Sequence, residues 1–555
     1  MQPLRVDNKP IVKRIRFSGW TVLVMAIAAL ISLPLLVVLS GIFTNSQAVW
    51  SHLIATVLAT YMTNSLWLML GVGVGVVFVG TGTAWLVTMC RFPGSRLFDW
   101  ALLLPLAAPA YILAYTYTEF LAYYGPVQMS LRGWFGWKSA QDYWFPNVRS
   151  LWGAIVMLVL VLYPYVYLLA RTAFLTQSVG MLEASRSLGC GPWRSFFTVA
   201  LPLARPAIMA GLALALMETL GDYGTVQFFA VDTFTTGIYR TWFGMNERLA
   251  ATQLAAMLLL FIFGLVLLER WSRGQARYYH AQRHQARSRY RLRGIRAIAA
   301  WFACFLPVGF GFLLPAALLL QMAWENAEQT FDNRFWSFAT NSFTLAALTA
   351  GLAVVLAVIM AYGLRLHPTL GMRLATQTAS MGYAVPGAVI AVGILVPIGT
   401  LDNAIDAWMR STFGLSTGLL LSGTIAALVF AYLVRFLALS FSTIDASLTS
   451  IKPSLDDAAR SLGHSTTSTL ARIHLPLISR GLVAAAVLVF VDVIKELPAT
   501  LIVRPFNFDT LAVRVYNLAS DERLAEASGS ALAIVLVGII PVIVLSVGMG
   551  NGSRE

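Results

Sequence analysis

Residues 183–206 read EASRSLGCGPWRSFFTVALPLARP, and residues 457–480 read DAARSLGHSTTSTLARIHLPLISR. Both stretches are polar and basic, and each lies between two long apolar runs. Glu183 precedes Asp457, and Gly189 precedes Gly463, by the same 274 positions, and the alignment between them needs no gap. The chain therefore contains an internal repeat, and the repeated unit includes a polar loop between apolar segments.

The composition is that of an integral membrane protein. Of the 555 residues, 58% are hydrophobic and 12% are charged. The apolar residues fall in blocks of roughly 20 or more, which is long enough to cross a bilayer as a helix. About twelve such blocks predict an all-α fold of about twelve transmembrane helices. The blocks begin near Trp20, Trp67, Phe98, Leu151, Leu201, Ala251, Ile298, Phe343, Gln377, Gly418, Gly481 and Ser530.

The net charge is +14, and its distribution indicates membrane orientation rather than binding to nucleic acid. Arg and Lys concentrate in alternate loops, which is the positive-inside pattern of an even number of spans with both termini in the cytoplasm. The densest basic run, residues 270–296, would suit RNA or anionic lipid, but its position near the middle of the chain favours a cytoplasmic linker. The first apolar run follows a basic start, as a signal peptide does, but its length and the lack of a clear cleavage site favour a retained span.

The residues that commonly bind metals form no recognisable motif. Cys90, Cys190 and Cys304 cannot form a disulfide framework or a zinc site by their spacing. His280 and His284 have helical spacing, but no Cys or acidic residue accompanies them. The sequence therefore leaves any metal ligands unknown.

The repeat extends well beyond the polar loop. The triplet Thr-Asn-Ser opens a long apolar run at 63–65 and again at 340–342, and Pro109 and Pro386 share that offset of 277. Each half is predicted to be one module of about six helices, and the modules have parallel orientation because an even number of spans separates equivalent points. The predicted divisions are a basic cytoplasmic N-terminus (1–19), a first module (20–270), a basic cytoplasmic linker (271–296), a second module (297–549) and a C-terminal tail (550–555).

In both copies the repeated loop predicts a short helix on the cytoplasmic face. An acidic residue opens a run of good helix formers, and Gly189 or Gly463 follows as a residue suited to ending the helix. Pro202 and Pro476 suit the first turn of the next helix, which returns into the membrane. Small residues on one side and Arg on the other favour docking of this helix against another protein.

This spacing resembles a known signature: E-A-A, three residues, G, nine residues, I, any residue, L-P. It is the cytoplasmic signature of permease subunits in binding-protein-dependent ABC importers, and the chain is similar to two such subunits fused. The departures are mild. Ser185 occupies the third position of the first copy, Val199 replaces Ile, and Asp457 replaces Glu.

The resemblance implies a type I ABC importer fold and a mechanical role. In such importers the two short helices sit in clefts on two copies of an ATPase subunit, so that closure of the ATPase dimer rocks the membrane modules. The alternative is that these helices only brace their own module. The positions that the resemblance assigns to ATPase coupling are Glu183, Ala184, Gly189, Asp457, Ala458 and Gly463.

The sequence contains no G-x-x-x-x-G-K-[ST] phosphate loop. ATP is therefore expected to be used by partner subunits, and no cofactor is expected on this chain. An ion-coupled secondary transporter would also have twelve helices, but it would have no use for a docking helix. A membrane enzyme is disfavoured because His, Cys and Ser form no cluster at a shared depth.

Two acidic pairs follow the repeated loops and are candidates for a translocation pathway. Glu218 and Asp222 lie one helical turn apart, and Asp492 and Glu496 repeat them at the offset of 274. Ionisable residues within a membrane span usually face the bundle interior, and a ring of carboxylates would suit a cation. The alternative is that the pairs cap helices or pair with Lys495 and Arg504.

A second candidate for iron contact is the stretch 111–125, YILAYTYTEFLAYYG. Phenolate and carboxylate oxygens are suitable ligands for ferric iron, although Tyr is also common in the interfacial aromatic belt. The candidate side chains are Tyr111, Tyr115, Tyr117, Glu119, Tyr123 and Tyr124.

Within the importer family, residues 221–244 and 495–528 are most similar to the ferric iron group. Thiamine and 2-aminoethylphosphonate permeases of similar length remain alternatives. The resemblance implies a bacterial inner-membrane location and a periplasmic substrate-binding protein that sits on outer loops, including residues 223–248 and 503–523. Membrane lipid is the other expected partner, and nucleic acid is not expected.

Overall fold

The computed structural model describes residues 19–43, 47–177, 185, 187–273 and 290–551, and nearly all of its ordered elements are helices. Within these ranges, ten helices are long and apolar enough to cross a membrane, and two bent helix pairs would bring the number to twelve. The predicted all-α membrane fold is therefore confirmed. The predicted linker histidines, His280 and His284, lie outside the described residues.

The first half of the chain contains twelve of the labelled helices and one short strand. They are α1 (Gly19–Ser40), α2 (Gln47–Thr56), α3 (Leu58–Met89), β1 (Cys90–Arg91), α4 (Ser95–Ala101), α5 (Ala110–Leu121), α6 (Pro126–Phe135), α7 (Leu151–Thr176), α8 (Pro192–Ser195), α9 (Leu201–Gly221), α10 (Gly224–Phe228), α11 (Phe234–Tyr239) and α12 (Arg248–Arg273). Short 3₁₀ or π turns cover Gly41–Phe43, Leu104–Ala107, Phe196–Ala200 and Arg240–Gly244.

The second half follows a similar order. Its elements are β2 (Tyr290–Arg291), α13 (Ile295–Val308), α14 (Leu314–Glu325), α15 (Ala327–Thr330), α16 (Asn333–Leu366), α17 (Leu370–Ala379), α18 (Gly387–Phe413), α19 (Ile425–Thr449), α20 (Ser454–Ser461), α21 (Thr466–Thr469), α22 (Leu475–Leu477), α23 (Ser479–Ile494), α24 (Pro498–Val503), α25 (Leu511–Ser520) and α26 (Leu524–Asn551). The π or 3₁₀ turns here are Gly309–Leu313, Ser380–Ala384 and Leu470–His474. Strands β1 and β2 pair in parallel over two residues each.

Two of the twelve predicted spans are bent rather than straight. The chain turns by 89° between Ser95–Ala107 and Ala110–Phe135, and by 76° between Thr466–Leu477 and Ser479–Ile494. At the first bend Ala108 is extended, because a residue before proline avoids the helical region, and Pro109 follows it. The span expected from Gln377 begins only at Gly387, since α17 is a separate helix and Pro386 precedes α18.

The repeated Thr-Asn-Ser triplets hold equivalent places in both modules. Nδ2 of Asn64 donates to the carbonyl oxygen of Asp232 at 2.9 Å, and Nδ2 of Asn341 donates to that of Asp509 at 3.1 Å. Oγ of Ser342 also accepts the N–H of Leu511 at 2.8 Å. The repeat is therefore preserved in contacts as well as in residue types, since each triplet fixes the segment that precedes α11 or α25.

Helix α1 of the first module packs mainly against the second module, and the pair α13–α14 of the second module packs against both modules. In the second module Tyr362 meets Trp20 of α1 edge to face, with ring centroids 5.3 Å apart. In the opposite direction, Tyr117 of the first module donates to the carbonyl oxygen of Phe310 at 2.6 Å. We call α1 and the pair α13–α14 the exchanged arms. Because of this exchange, neither half buries its surfaces alone.

The membrane bundle has two ends that can be told apart by the repeated loops. The coupling face is the end that carries residues 185 and 187–190 together with α20. Helices α7 and α19 end there, and the segments leading to α9 and α23 begin there. The opposite face carries α6, α10 and α24 to α25. A central cavity lies between these faces, near the middle of α7 and α19.

Candidate functional site

The second coupling loop forms the short helix that its sequence predicts. Helix α20 spans Ser454–Ser461, with Asp456 and Asp457 in its first turn. Asp457 has a 68% exposed side chain and, among the described residues, pairs with Arg460 of the same helix; Ala458 is also exposed. Ala459 is buried against the module. The helix therefore presents Asp457 and Ala458 outward, where a partner subunit could reach them.

Both coupling glycines adopt the backbone conformation that glycine allows. Gly189 has φ of 79° and Gly463 has φ of 81°, which is the left-handed region. The N–H of Gly463 donates to Arg460 O at 3.0 Å, and that of His464 donates to Ala459 O at 3.0 Å, the hydrogen bonds of a Schellman helix end. In the first copy the N–H of Cys190 donates equivalently to Ser185 O. The prediction that these glycines end helices is correct.

In the first coupling loop, Glu183 and Ala184 lie outside the described residues. Their coupling role stays a prediction. Ser185, which departs from the family pattern, is buried and its Oγ lies 2.5 Å from Oγ of Ser195. The hydroxyl at this unusual position therefore has a partner within its own module.

The structure shows one pair of exposed apolar residues in the coupling loops that the sequence reasoning missed. Leu188 is 82% exposed and Leu462 is 78% exposed, although both are large and apolar. They share the offset of 274, and each comes directly before a coupling glycine. An exposed leucine at the same motif position in both copies is a candidate for contact with a partner. The signal in the sequence was that both copies of the repeat place a leucine directly before the coupling glycine, within an otherwise polar loop.

Within the described residues, a charged clamp is seen in the second copy of the coupling loop. Nη2 of Arg365 lies 2.7 Å from Oδ2 of Asp456, and Nε2 of His474 lies 2.6 Å from Oδ1. Burial raises the pKa of Asp456, but the hydrogen bonds from Arg365 and His474 outweigh it and hold the pKa below its usual value. The carboxylate therefore stays ionised at neutral pH. The residue that corresponds to Asp456 at the repeat offset is Leu182, so the comparison of copies could not reveal this clamp.

The two acidic pairs meet at the central cavity. This cavity of about 130 Å³ is lined from both modules, and Glu218, Asp222, Asp492 and Glu496 all line it. Helix α9 brings the first pair and α23 with its C-terminal end brings the second. The structure therefore joins four side chains that the sequence could relate only by their spacing. Their role in translocation stays a prediction.

Two of these carboxylates cap helices that begin at the cavity. Asp222 accepts the N–H groups of Thr225 and Val226 at 3.0 and 3.1 Å. Glu496 accepts those of Ala499 and Thr500 at 2.8 and 3.0 Å. Carboxylates are favourable at helix N-termini. The structure thus shows helix capping, which the sequence had left as an alternative, by two of the same carboxylates that line the cavity.

Two basic residues share the cavity with the carboxylates, and both come from the second module. Nζ of Lys495 lies 2.7 Å from Oδ1 of Asp492, as the sequence allowed. Arg435, on α19, was not singled out by the sequence reasoning. It lies 3.2 Å from Glu496 and 3.9 Å from Glu218, measured between nitrogen and oxygen atoms. Arg504 pairs with Asp509 instead of joining this group.

The carboxylates do not form a preassembled metal site. Within the described part of the chain, no group of three or more His, Cys, Asp or Glu side chains is arranged to hold a metal ion. Lys495 and Arg435 occupy the places between the acids. A cation in this cavity would therefore have to displace a basic side chain.

The tyrosine-rich stretch is divided between two cavities and a packing contact. Tyr111 lines the central cavity, and its hydroxyl is buried without a hydrogen-bond partner among the described residues. The hydroxyl of Tyr117 donates a hydrogen bond to the carbonyl oxygen of Phe310, as described above. The remaining members, Tyr115, Glu119, Tyr123 and Tyr124, line a second cavity of about 830 Å³ towards the opposite face. The six side chains therefore do not form a single cluster.

Comparison with known proteins agrees with this architecture. The family described as "Binding-protein-dependent transport system inner membrane component" matches twice, at residues 76–278 and 353–551. The chain is 26% identical over 500 residues to the Fe(3+)-transport system permease protein FbpB 2 of Haemophilus influenzae, and the match covers 88% of this chain and 90% of the relative.

Shorter relatives match part of the chain. The molybdenum transport system permease protein ModB of Escherichia coli is 34% identical over 146 residues, covering 26% of this chain and 60% of ModB. The sulfate transport system permease protein CysT of Escherichia coli is 32% identical over 149 residues, covering 26% of this chain and 50% of CysT. The chain belongs to the family of binding-protein-dependent transport system inner membrane components, as a double permease of the inner membrane.

Proposed function

We propose that this chain is the transmembrane permease of an ATP-driven importer for ferric iron. Iron would arrive on a periplasmic binding protein at the opposite face and leave at the coupling face. ATP would be hydrolysed by two copies of a separate ATPase subunit docked on the coupling loops, with both termini of the permease in the cytoplasm. The observation that carries the proposal is the meeting of four carboxylates from both modules at one cavity on the path between the faces.

The comparison supports iron over other substrates through its extent. The ferric permease relative aligns along nearly the whole of both chains, whereas ModB and CysT align with about a quarter of this one. Carboxylate oxygens are also the hard ligands that ferric iron favours. The coupling proposal has separate support from the exposed side chains of Asp457, Leu188 and Leu462 in the two coupling loops.

A second candidate is an importer of an oxyanion such as molybdate or sulfate. Arg435 and Lys495 supply two permanent positive charges at the same cavity, and helices α5 and α18 begin beside it. Guanidinium and helix N-termini both favour anions. The relatives named for molybdenum and sulfate transport make this candidate worth testing in the same experiment.

The test measures uptake in cells that lack only this gene, with radiolabelled ferric iron, molybdate, sulfate, thiamine and 2-aminoethylphosphonate in parallel. Loss of iron uptake alone supports the proposal, provided that the gene restores it. Loss of another substrate with iron untouched keeps the importer mechanism and overturns the iron assignment. Uptake should also survive a proton uncoupler when ATP is maintained; uptake that collapses with the proton gradient would instead indicate a secondary transporter.

A further inference from the structure

Arg435 is the cation that connects the two modules at the central cavity. Its side chain is only 11% exposed, and it lies on α19 of the second module. Nη1 is 3.2 Å from Oε1 of Glu496, in the same module, and Nη2 is 3.9 Å from Oε2 of Glu218, in the first. One guanidinium therefore balances carboxylates from both halves of the protein.

The backbone around this contact leaves little free volume. A Cβ on Gly387 would lie 2.6 Å from Nη1 of Arg435 and 2.5 Å from Oε1 of Glu496. The Nε of Arg435 is buried and has no hydrogen-bond partner among the described residues. The guanidinium is thus held close to its two carboxylates without satisfying all of its own donors.

The first module has no residue that corresponds to Arg435. The acidic pairs repeat at the offset of 274, but position 161 at that offset is Val, and position 158 at the offset of 277 is Leu. Both Leu158 and Val161 line the same cavity and are buried. The arginine is therefore an addition to one copy of a repeated acidic site, which indicates a task that the symmetric carboxylates do not perform.

The two contacts of Arg435 differ in how they respond to motion. Glu496 and Arg435 belong to the same module. Glu496 accepts three hydrogen bonds from the start of α24, two from N–H groups and one from Oγ1 of Thr500, and a fourth from Arg435. Among the described residues, Glu218 forms one ion pair, the longer contact with Arg435 across the module boundary. When the modules rock apart, Arg435 would stay with Glu496 and release Glu218.

We propose that Arg435 is a tethered counter-ion: it neutralises Glu218 and Glu496 while the modules are closed, excludes free cations from the cavity, and gives up Glu218 to a cationic substrate when the modules separate. This inference rests on the proposed function, because it requires a cation as cargo. An arginine suits the role because its charge does not depend on pH over the physiological range.

The test uses terbium(III), a trivalent oxygen-seeking ion, with the purified permease–ATPase complex in detergent without nucleotide. Bound terbium is detected by luminescence excited through nearby tyrosines, and Tyr111, Tyr165 and Tyr383 line the cavity. Arg435→Gln removes the counter-ion, so terbium affinity should rise about tenfold or more, because a positive charge close to two carboxylates is lost. Arg435→Lys keeps the charge and should stay near the wild-type affinity.

The double variant Arg435→Gln/Glu218→Gln identifies the carboxylate. It should return terbium affinity to the wild-type value, because the released carboxylate is gone. Equal affinity in the wild type and Arg435→Gln, or a gain that persists in the double variant, overturns the inference.

Glu218→Gln alone gives a second test if Arg435→Gln does not assemble. This variant leaves Arg435 paired with Glu496, so terbium affinity should not change. Uptake should fall about tenfold, because the cationic substrate can no longer bind the carboxylate that Arg435 releases. Uptake at the wild-type rate overturns the inference. Failure of the proposed function is seen separately, as iron uptake that survives deletion of the gene, since the terbium measurement uses no iron and no transport.

Discussion

The coupling positions require glycine because of their backbone conformation and not because neighbouring atoms leave no room for a side chain. A Cβ built on Gly189 or Gly463 would meet nothing within 4 Å, so a larger side chain would fit in space. The obstacle is the left-handed conformation, which costs a non-glycine residue about 1–2 kcal/mol. A substitution should therefore disturb how the coupling helix ends without creating a clash in the membrane.

The first prediction follows for Gly189→Val combined with Gly463→Val. The protein should still insert and bind its ATPase, but uptake should fall roughly tenfold, since the helix ends cost about 1–2 kcal/mol each. Uptake and ATP hydrolysis are measured together in proteoliposomes. Gly191→Val is the matched control, because Gly191 lies in the same loop with open space and no positive φ. Normal transport in the double variant would contradict the coupling role.

The second prediction concerns Asp222→Asn combined with Glu496→Gln. The amides keep an acceptor oxygen for the helix caps but remove two charges from the cavity, so uptake should fall about tenfold or more while the ATPase complex still assembles. Substrate uptake and complex recovery by size-exclusion chromatography are the measurements. Unchanged uptake would return both residues to a purely structural role as caps.

Some functional-site residues could be predicted from the sequence and others could not. The four cavity acids were identifiable because both copies of the repeat keep them. Arg435 and Asp456 were missed for the opposite reason, since their equivalents in the first copy are apolar. A comparison of two halves finds what they share, and it cannot find a side chain that only one half has acquired.

At the scale of elements, the described parts of the two coupling loops are attached differently. Asp456 of helix α20 forms ion pairs with Arg365 of α16 and with His474, and these contacts attach the helix to its module. On the first module Trp85 packs against Phe174 and Phe196, with centroids 5.5 and 4.9 Å apart, close to the first coupling loop. Trp85 corresponds to Tyr362 at the offset of 277, so an aromatic cluster stands where the second module has a polar clamp.

The third prediction separates attachment from docking within α20. Asp456→Asn should loosen the helix, because hydrogen bonds to a charged group contribute about 1.5–3 kcal/mol. Limited proteolysis should then cut more readily near residues 452–465. Asp457→Asn should leave proteolysis unchanged but weaken recovery of the ATPase subunit, since Asp457 faces outward. If both variants behaved alike, the distinction between the two aspartates would be wrong.

Bends were the elements that the sequence predicted least well. Hydropathy gave the right number of spans, since every predicted block falls on a membrane-length helix or a bent pair. It could not show that two spans are broken, because a window average is insensitive to one extended residue such as Ala108 before Pro109. The shift of the span expected from Gln377 has the same origin at Pro386.

At the scale of the whole molecule, the exchanged arms make the two modules depend on each other. Gly393 of α18 allows α1 to approach closely, since a Cβ there would lie 2.5 Å from the carbonyl oxygen of Pro34. On the other side, a Cβ on Gly311 would lie 2.7 Å from the carbonyl oxygen of Leu160. Sequence reasoning predicted two modules but could not predict the exchange, because hydropathy carries no information on which helices are neighbours.

The fourth prediction tests this mutual dependence. Gly393→Leu should displace α1 and lower the thermal stability of the whole permease, because backbone at 2.5 Å cannot move aside as a flexible side chain can. Gly399→Leu is the matched control, on the same helix with open space around it. The measurement is the melting temperature in detergent. A similar melting temperature for both variants would show that the close approach of α1 is unimportant.

The exchange also has a consequence for how the protein is made. Helix α1 leaves the ribosome well before α18, against which it packs, because α18 lies several hundred residues later in the chain. At about 5–20 residues per second, α1 has to wait in the bilayer for a time on the order of tens of seconds. A nascent chain cut short before α18 would leave this helix without its neighbour, so such incomplete products would present an unmatched surface to the quality-control proteases of the membrane.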